Sequence, residues 1–163
     1  NYVFHHQGNI FVTRFHQKDA IDLNGLQPRI DIEVGNPHDG AIRENEVTFT
    51  TTNGCVVTFD IQSGNQTRLI DLNSIDERKN LLGWCRGICV EGENSCWVGF
   101  SRIRPTWLRK NLSWIKQGFK SKGQYGTEPT RIVEYDFENE SVKRELNLEP
   151  VGLNAIFGIY LVE

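Results

Sequence analysis

The sequence contains no methionine and no long hydrophobic run. None of its 163 residues belongs to an apolar stretch near the roughly 18 residues that a membrane-spanning helix needs, and no basic patch followed by an apolar run opens the chain. The sequence therefore predicts no transmembrane segment. Because the chain begins with the strand-like Asn1-Tyr2-Val3-Phe4 instead of a methionine, we expect it to be a fragment of a longer protein.

Motifs of the common enzyme classes are also missing. The sequence has no nucleophile elbow, no P-loop, no dinucleotide-binding fingerprint and no zinc helix with paired histidines. Its four cysteines, Cys55, Cys85, Cys89 and Cys96, have spacings that match neither a zinc pair nor a thioredoxin pair. Free thiols inside strands are typical of a reducing compartment, so we expect a cytoplasmic protein. Whether it is an enzyme stays open.

What the sequence does contain is a pattern of short strands. Two β-branched and aromatic runs, 46–52 and 55–60, flank Asn53-Gly54, whose residues tolerate the positive φ angles of a type I′ turn and so predict a hairpin. Short strands are also predicted at 38–42 and 67–72. Four such strands in a meander are typical of one blade of a β-propeller.

The same pattern of strands returns further along the chain. Predicted strands at 85–90, 96–100, 131–136 and 142–148 repeat it, and Gly152 to Phe157 repeats the opening strand once more. Repetition at this length is the signature of a repeat architecture. The sequence therefore predicts an all-β fold of propeller blades, each a four-stranded antiparallel meander.

The predicted organisation is a single β-propeller fragment spanning residues 1–163. It divides into an incomplete blade at 1–35, a blade at 36–80, a blade at 81–150 with a helical insertion at 101–129, and the first strand of a closing blade at 151–163. About three blades are too few, since closed propellers carry about four to eight. We therefore expect half of a roughly six-bladed ring, completed by a second copy or by a complementary propeller half.

The insertion concentrates positive charge. Residues 101–131 hold eight basic side chains and one acidic one, Glu128, a net charge of +7 in a chain whose total is −3. Its centre has apolar residues at helical spacing and predicts an amphipathic helix. The predicted anion-binding or partner-binding residues are Arg102, Arg104, Arg109, Lys110 and Lys116.

Several partners fit such a charge distribution. A basic helix can steer an anionic ligand or a nucleic-acid backbone to one face of the protein. It can equally pack on the acidic blades of its own chain, or touch a membrane surface. A nucleic-acid partner is not favoured.

A second candidate site lies where the first strands of the blades meet. The first strand of every propeller blade lines the central channel, so residues of different blades converge there. The predicted ligand-binding residues at this channel are His6, His38, Asp39, Arg86 and Asn154. Such side chains can clamp a carboxylate or phosphate, or hold a divalent cation such as calcium. They can equally form hydrogen bonds with neighbouring blades and channel water.

Two blocks of the sequence carry a family resemblance. Gly83 to Gly87 with Trp97 to Arg104, and Glu149 to Ala155, resemble segments of a family of uncharacterised bacterial β-propeller proteins. The chain is more distantly similar to the gluconolactonase and strictosidine-synthase-like propellers. Those proteins hold a divalent metal in the channel with acidic and amide side chains, which implies Asp39 and Asn154 as ligands here.

Two functional hypotheses follow. The first is a noncatalytic module that needs no cofactor and binds a partner or small anionic ligand through its channel face and basic insertion. The alternative is a metal-assisted, lactonase-like hydrolase or lyase that uses His38, Asp39, Arg86 and Asn154 at the central channel.

Overall fold

The architecture is all-β, as the sequence predicts. A computed structural model of the chain describes residues 2–76, 81–103 and 128–162. Within these ranges, twelve strands form three four-stranded antiparallel sheets, and the α-helical structure is the single turn α1 (Leu72–Ile75). In the same ranges no helix has the length and apolar character to cross a membrane.

Each sheet is a meander, in which strands that are consecutive in sequence lie side by side. The first sheet contains β1 (Val3–His6), β2 (Asn9–Arg14), β3 (Asp19–Asp22) and β4 (Ile30–Asp31). The second contains β5 (Pro37–Arg43), β6 (Glu46–Thr51), β7 (Cys55–Asp60) and β8 (Gln66–Asp71). The third contains β9 (Trp84–Glu91), β10 (Ser95–Ser101), β11 (Arg131–Asp136) and β12 (Ser141–Asn147).

The predicted hairpin between β6 and β7 is present, and local chemistry explains it. Gly54 has a φ angle of +85°, a conformation that glycine adopts without steric cost. The Thr51 hydroxyl donates a hydrogen bond to Asn53 Oδ1 (2.6 Å) and accepts one from the Cys55 amide (3.1 Å). These bonds fix the chain reversal at Asn53-Gly54.

The sheets are held together by two clusters of buried apolar residues. The first cluster joins the first and second sheets, and it includes Phe4 stacked on Phe11 with ring centroids 4.8 Å apart. The second cluster joins the second and third sheets around residues such as Val56, Phe100 and Tyr135. The second sheet is therefore buried on both faces, and β5 lies against β9.

One hydrogen bond recurs where the fourth strand of each sheet ends. The amides of Ile32, Leu72 and Leu148 donate to the carbonyl oxygens of Lys18 (2.8 Å), Gly54 (2.9 Å) and Thr130 (2.9 Å). Each carbonyl belongs to the residue just before the third strand of its own sheet. The three sheets thus repeat one local structure, in agreement with the internal repetition in the sequence.

The ends of the described chain differ from the prediction. Residues 1–35, predicted to be an incomplete blade, contain a sheet of four strands, of which β4 has only two residues. Residues 151–163 were predicted to include a first strand. Instead, a 3-10 turn at Glu149–Val151 is followed by a segment at 153–162 without strand structure. A strand is defined by a paired neighbour, and within the described residues no strand lies beside this segment. We call residues 153–162 the terminal segment.

The predicted helical insertion at 101–129 lies outside the described residues except for 101–103 and 128–129. Arg131, which contributes to the basic charge of that region, is fully buried. Its guanidinium donates to the Leu82 carbonyl oxygen (2.7 Å), lies 3.5 Å from Glu145 Oε2 and 3.9 Å from Asp76 Oδ2, and covers the Phe100 ring. Arg131 is therefore a core residue and not part of a basic surface.

Candidate functional site

Arg86 lies between two aromatic rings. Its guanidinium carbon is 5.5 Å from the centre of the Trp84 ring and 5.5 Å from that of Phe157. Trp84 and Arg86 belong to β9, whereas Phe157 comes from the terminal segment. Attraction between a cation and aromatic faces holds the guanidinium in one place, and burial lowers its pKa.

His38 completes this group of side chains from the neighbouring sheet. It lies near the start of β5, which packs against β9, and its ring meets Trp84 edge-on with centroids 6.4 Å apart. Burial, followed by the positive charge of Arg86, lowers the pKa of His38 to about 4. The imidazole is therefore neutral at pH 7 and adds no charge to that of Arg86.

Three buried polar atoms of this group have no hydrogen-bond partner among residues 2–76, 81–103 and 128–162: Trp84 Nε1, Arg86 Nε and His38 Nδ1. The first two nitrogens are donors only, so they need an acceptor atom. Buried polar atoms in proteins are almost always paired, and an unpaired one points to a water, an ion or a ligand. We call His38, Trp84, Arg86 and Phe157 the arginine–aromatic site.

Asp39 lies in different surroundings, although it follows His38 directly. Its Oδ1 accepts a hydrogen bond from the Gly40 amide (3.0 Å), and burial raises its pKa. It lines a pocket of about 250 Å³ together with Tyr2, Ile159 and Tyr160. Burial, and then the charge of Asp39, raises the pKa of Tyr2 to about 12. This pocket does not include Arg86.

The remaining predicted channel residues are not brought to the arginine–aromatic site. His6 lies at the hairpin turn between β1 and β2, where it pairs with Asn9. Asn154 is exposed, and its side-chain amide donates to the Gly152 carbonyl oxygen within its own turn (3.5 Å). The starts of β5 and β9 lie close together and bring His38 to the site. His6, at the hairpin end of β1, and Asn154, in the turn after β12, lie outside it.

Of the five residues predicted to bind an anion or a partner, Arg102 is the one within the described residues. Arg102 forms a two-pronged ion pair with Glu149, in which both N–O distances are 2.6 Å, and this pair lowers the pKa of Glu149. Glu149 also accepts from the Thr130 amide (3.0 Å), so the pair fastens β10 to the turn after β12. The other four residues, Arg104, Arg109, Lys110 and Lys116, lie outside the described residues.

Sequence reasoning did not assign a site role to Trp84 or Phe157. Trp84 stands two residues before Arg86. Alternate residues of a strand lie on the same face, so this spacing could have assigned Trp84 to the site. No sequence signal pointed to Phe157, because its position beside Arg86 depends on the path of the terminal segment. Within 2–76, 81–103 and 128–162, no three His, Cys, Asp or Glu side chains are grouped as a metal site requires.

Comparison with known proteins gives a likeness of fold alone. No family model and no curated protein matches the sequence. The computationally designed Ika4 protein is similar in structure, with a TM-score of 0.56 and 10% identity over 99% of this chain and 79% of Ika4. Two further likenesses have lower TM-scores. They are the designed Ika8 protein (0.47, 10% identity, 99% of this chain and 52% of Ika8) and a chain of the complex of KlAtg21 with the coiled-coil of AgAtg16 (0.46, 11% identity, 85% and 38%).

Proposed function

We propose that this protein is a noncatalytic binding module of the β-propeller type that holds a small oxyanion, a carboxylate or a phosphate, at the arginine–aromatic site. The observation that carries this proposal is the grouping, at one guanidinium, of three buried polar atoms that have no hydrogen-bond partner in the described part of the chain. The propeller assignment draws on the three stacked meanders, the contact between β5 and β9, and the resemblance to bacterial propeller sequences.

The chemistry of the site favours an anion. Trp84 Nε1 and Arg86 Nε both require acceptors, and an oxyanion supplies several acceptor oxygens at once. An unpaired buried donor costs about 1–3 kcal/mol, so a ligand that pairs with both nitrogens recovers that free energy on binding. A cation is disfavoured here because it would be repelled by Arg86.

The site has a route of access from solvent. Arg86 is only half-buried, whereas Phe157 is 75% exposed. A ring so exposed can turn aside without losing much buried apolar area. The entering anion would displace Phe157 from the guanidinium and leave Trp84 in place as the floor of the site.

The basic insertion has a second role in this proposal. Residues 101–129 hold seven basic side chains and one acidic one, and this net charge of +6 would draw anions towards the protein at long range; Arg104, Arg109, Lys110 and Lys116 would supply part of that field. Reversal of Lys110 and Lys116 to glutamate is expected to slow anion association, most strongly at low salt. An association rate that does not respond to this reversal would remove the insertion from the proposal.

The binding site itself is tested by thermal shift and calorimetry with inorganic phosphate, acetate and citrate. We expect at least one of these anions to raise the melting temperature of the protein and Arg86→Gln to abolish the shift. Arg144 provides the matched control, because its guanidinium also covers a tryptophan ring, that of Trp97, at 4.9 Å. Arg144→Gln should retain the shift.

Two outcomes contradict the proposal. One is the absence of any anion-dependent shift, and the other is a shift that survives in Arg86→Gln. The metal-assisted alternative is examined in the same experiment by adding calcium. A calcium-dependent rise in melting temperature that Asp39→Asn removes would show the metal site that the metal-assisted alternative requires.

A further inference from the structure

A cavity of about 330 Å³ opens between the second and third sheets, away from the arginine–aromatic site. His38 and Arg86 lie near the starts of β5 and β9, whereas the cavity lies at the other ends of these strands. Its volume is within the range of about 300–1,000 Å³ that is usual for small-molecule sites. We call it the inter-sheet cleft, and its principal lining residues are Arg43, Glu46, Thr48, Thr58, Val90 and Phe137.

The two walls of the inter-sheet cleft differ in chemistry. Thr48 of β6 and Thr58 of β7 are cross-strand partners in the second sheet. The residues on either side of them belong to the first apolar cluster, so the two threonines face the third sheet. The opposite wall contributes Val90 and Phe137, which are half-buried and pack against the second apolar cluster. The cleft is therefore polar on one side and apolar on the other.

The threonine pair supplies a hydrogen-bond donor to the cleft. The two hydroxyl oxygens, of Thr48 and Thr58, are 3.0 Å apart, and both residues are buried. Each hydroxyl has a single hydrogen, so one hydrogen remains after the first hydroxyl has donated to the second. Among the described residues, the pair has no acceptor for that remaining hydrogen. A ligand oxygen in the cleft would accept it.

Two further hydrogen-bonded contacts fix the shape of the cleft. The Arg68 guanidinium donates to the Glu93 carbonyl oxygen (2.6 Å) and to Asn94 Oδ1 (3.3 Å), which ties β8 to the turn between β9 and β10. The Thr67 hydroxyl donates to Glu46 Oε1 (2.9 Å) and so holds this carboxylate at the rim. A site whose walls and polar groups are already in place loses little conformational freedom when a ligand binds.

The charges around the cleft nearly cancel. Its lining includes two arginines and three glutamates, a net charge of −1, so neither a strongly anionic nor a strongly cationic ligand is favoured. A neutral polyol fits better, because each of its hydroxyls both donates and accepts. In a sugar ring, C–H groups form a second, less polar face, and such groups pack favourably on the face of an aromatic ring.

From this arrangement we propose that the inter-sheet cleft is a second binding site, which takes a monosaccharide. The sugar hydroxyls bond to the Thr48 and Thr58 hydroxyls and to the Glu46 carboxylate, and the C–H face of the ring packs on Phe137. This site is independent of the arginine–aromatic site, since Arg86 does not line the cleft.

The test is calorimetry and saturation-transfer NMR with glucose, galactose, mannose and N-acetylglucosamine at millimolar concentrations. We expect at least one of these sugars to bind in a saturable manner. The double variant Thr48→Val, Thr58→Val removes both hydroxyls together and so leaves no unpaired one, and it should weaken that binding about tenfold or more. Thr52→Val is the matched control, because Thr52 is equally buried but lies outside the cleft. It should retain the affinity.

An amide spectrum of the unaltered protein locates the bound sugar without any variant. The amide signals of Thr58, Val90 and Phe137 should shift as the sugar is added, whereas the Trp84 indole signal should stay in place. Arg86→Gln should bind the sugar as tightly as the unaltered protein does. Three results would each overturn the proposal: no binding of any of the four sugars, undiminished affinity in the double threonine variant, and shifts confined to signals outside the cleft.

Discussion

Three arginines show how the environment of a residue decides its role. Arg86 is held between aromatic rings with an unpartnered Nε, Arg102 is committed to Glu149, and Arg131 is buried among carbonyl and carboxylate oxygens. In the sequence all three contribute one positive charge. Only Arg86 combines a fixed position with a donor that needs an acceptor, so only Arg86 is assigned to ligand binding.

The pKa of His38 makes stability depend on pH. The folded-state pKa of about 4 lies below the ordinary value of 6.5, so the unfolded chain binds more protons between these two values. The free energy of unfolding should therefore fall as pH decreases from 6.5 to 4, and His38 should have no effect above 6.5. Allowing for partial exposure, we expect a loss of about 1–2 kcal/mol between neutral pH and pH 5.

Urea unfolding at neutral pH and at about pH 5 measures this effect. His38→Gln should remove most of the difference between the two conditions, whereas His5→Gln, at an exposed position, should retain it. Equal pH dependence in the protein and in His38→Gln would show that His38 does not carry the effect.

Removal of Arg131 tests the buried charge network. Arg131→Ala would leave the buried Asp76 carboxylate without its nearby guanidinium and would open a cavity over Phe100. Loss of one partner from a buried ion pair costs about 3–5 kcal/mol, so the urea midpoint should fall sharply. Arg144→Gln removes a guanidinium that is 65% exposed, so it should cost less than Arg131→Ala. Similar costs for both variants would contradict the core role of Arg131.

Among the elements, hairpins with strong turn chemistry are the most predictable from sequence. The β6–β7 hairpin follows from Asn53-Gly54 and its flanking β-branched runs, which are local properties of the chain. The two-residue strand β4 was missed because Ile30-Asp31 is too short to show alternation. The terminal segment was predicted to be a strand from its sequence pattern. A strand also needs a hydrogen-bonded neighbouring strand, and a local sequence pattern does not show whether one is present.

The contact between β10 and the terminal segment depends on the absence of a side chain at Gly99. A Cβ at this position would overlap the Arg86 carbonyl oxygen and lie 2.8 Å from Ile156 Cγ2. Gly99→Ala should therefore destabilise the protein by about 1–3 kcal/mol and speed hydrogen exchange of the Ile156 amide, which donates to Ser101 Oγ. Gly92→Ala, which meets no atom within 4 Å but has a φ angle of +71°, serves as a control for backbone strain alone. Exchange of the Ile156 amide that is equally fast in both variants would contradict this account.

On the scale of the whole molecule, the stacking of the three sheets decides which predicted site residues meet. The sequence repeat indicated that the first strands converge, and the structure brings His38 and Arg86 together through β5 and β9. The sequence prediction placed Asp39, His6 and Asn154 in the same site as His38 and Arg86. It did so because the repeat shows which strands correspond, but not the direction in which each side chain points. The participation of Phe157 depends on the fold of the terminal segment over the third sheet, a contact between distant parts of the chain.

The central claim is that Trp84 and Arg86 present donors to an oxyanion. The chain has four tryptophans, so a ¹H–¹⁵N spectrum should contain four indole signals, and Trp84→Phe identifies the one from Trp84. Titration with the anion that stabilises the protein most should shift the Trp84 indole signal in a saturable manner and leave that of Trp97 in place. A Trp84 signal that stays unchanged while the anion binds would contradict the account.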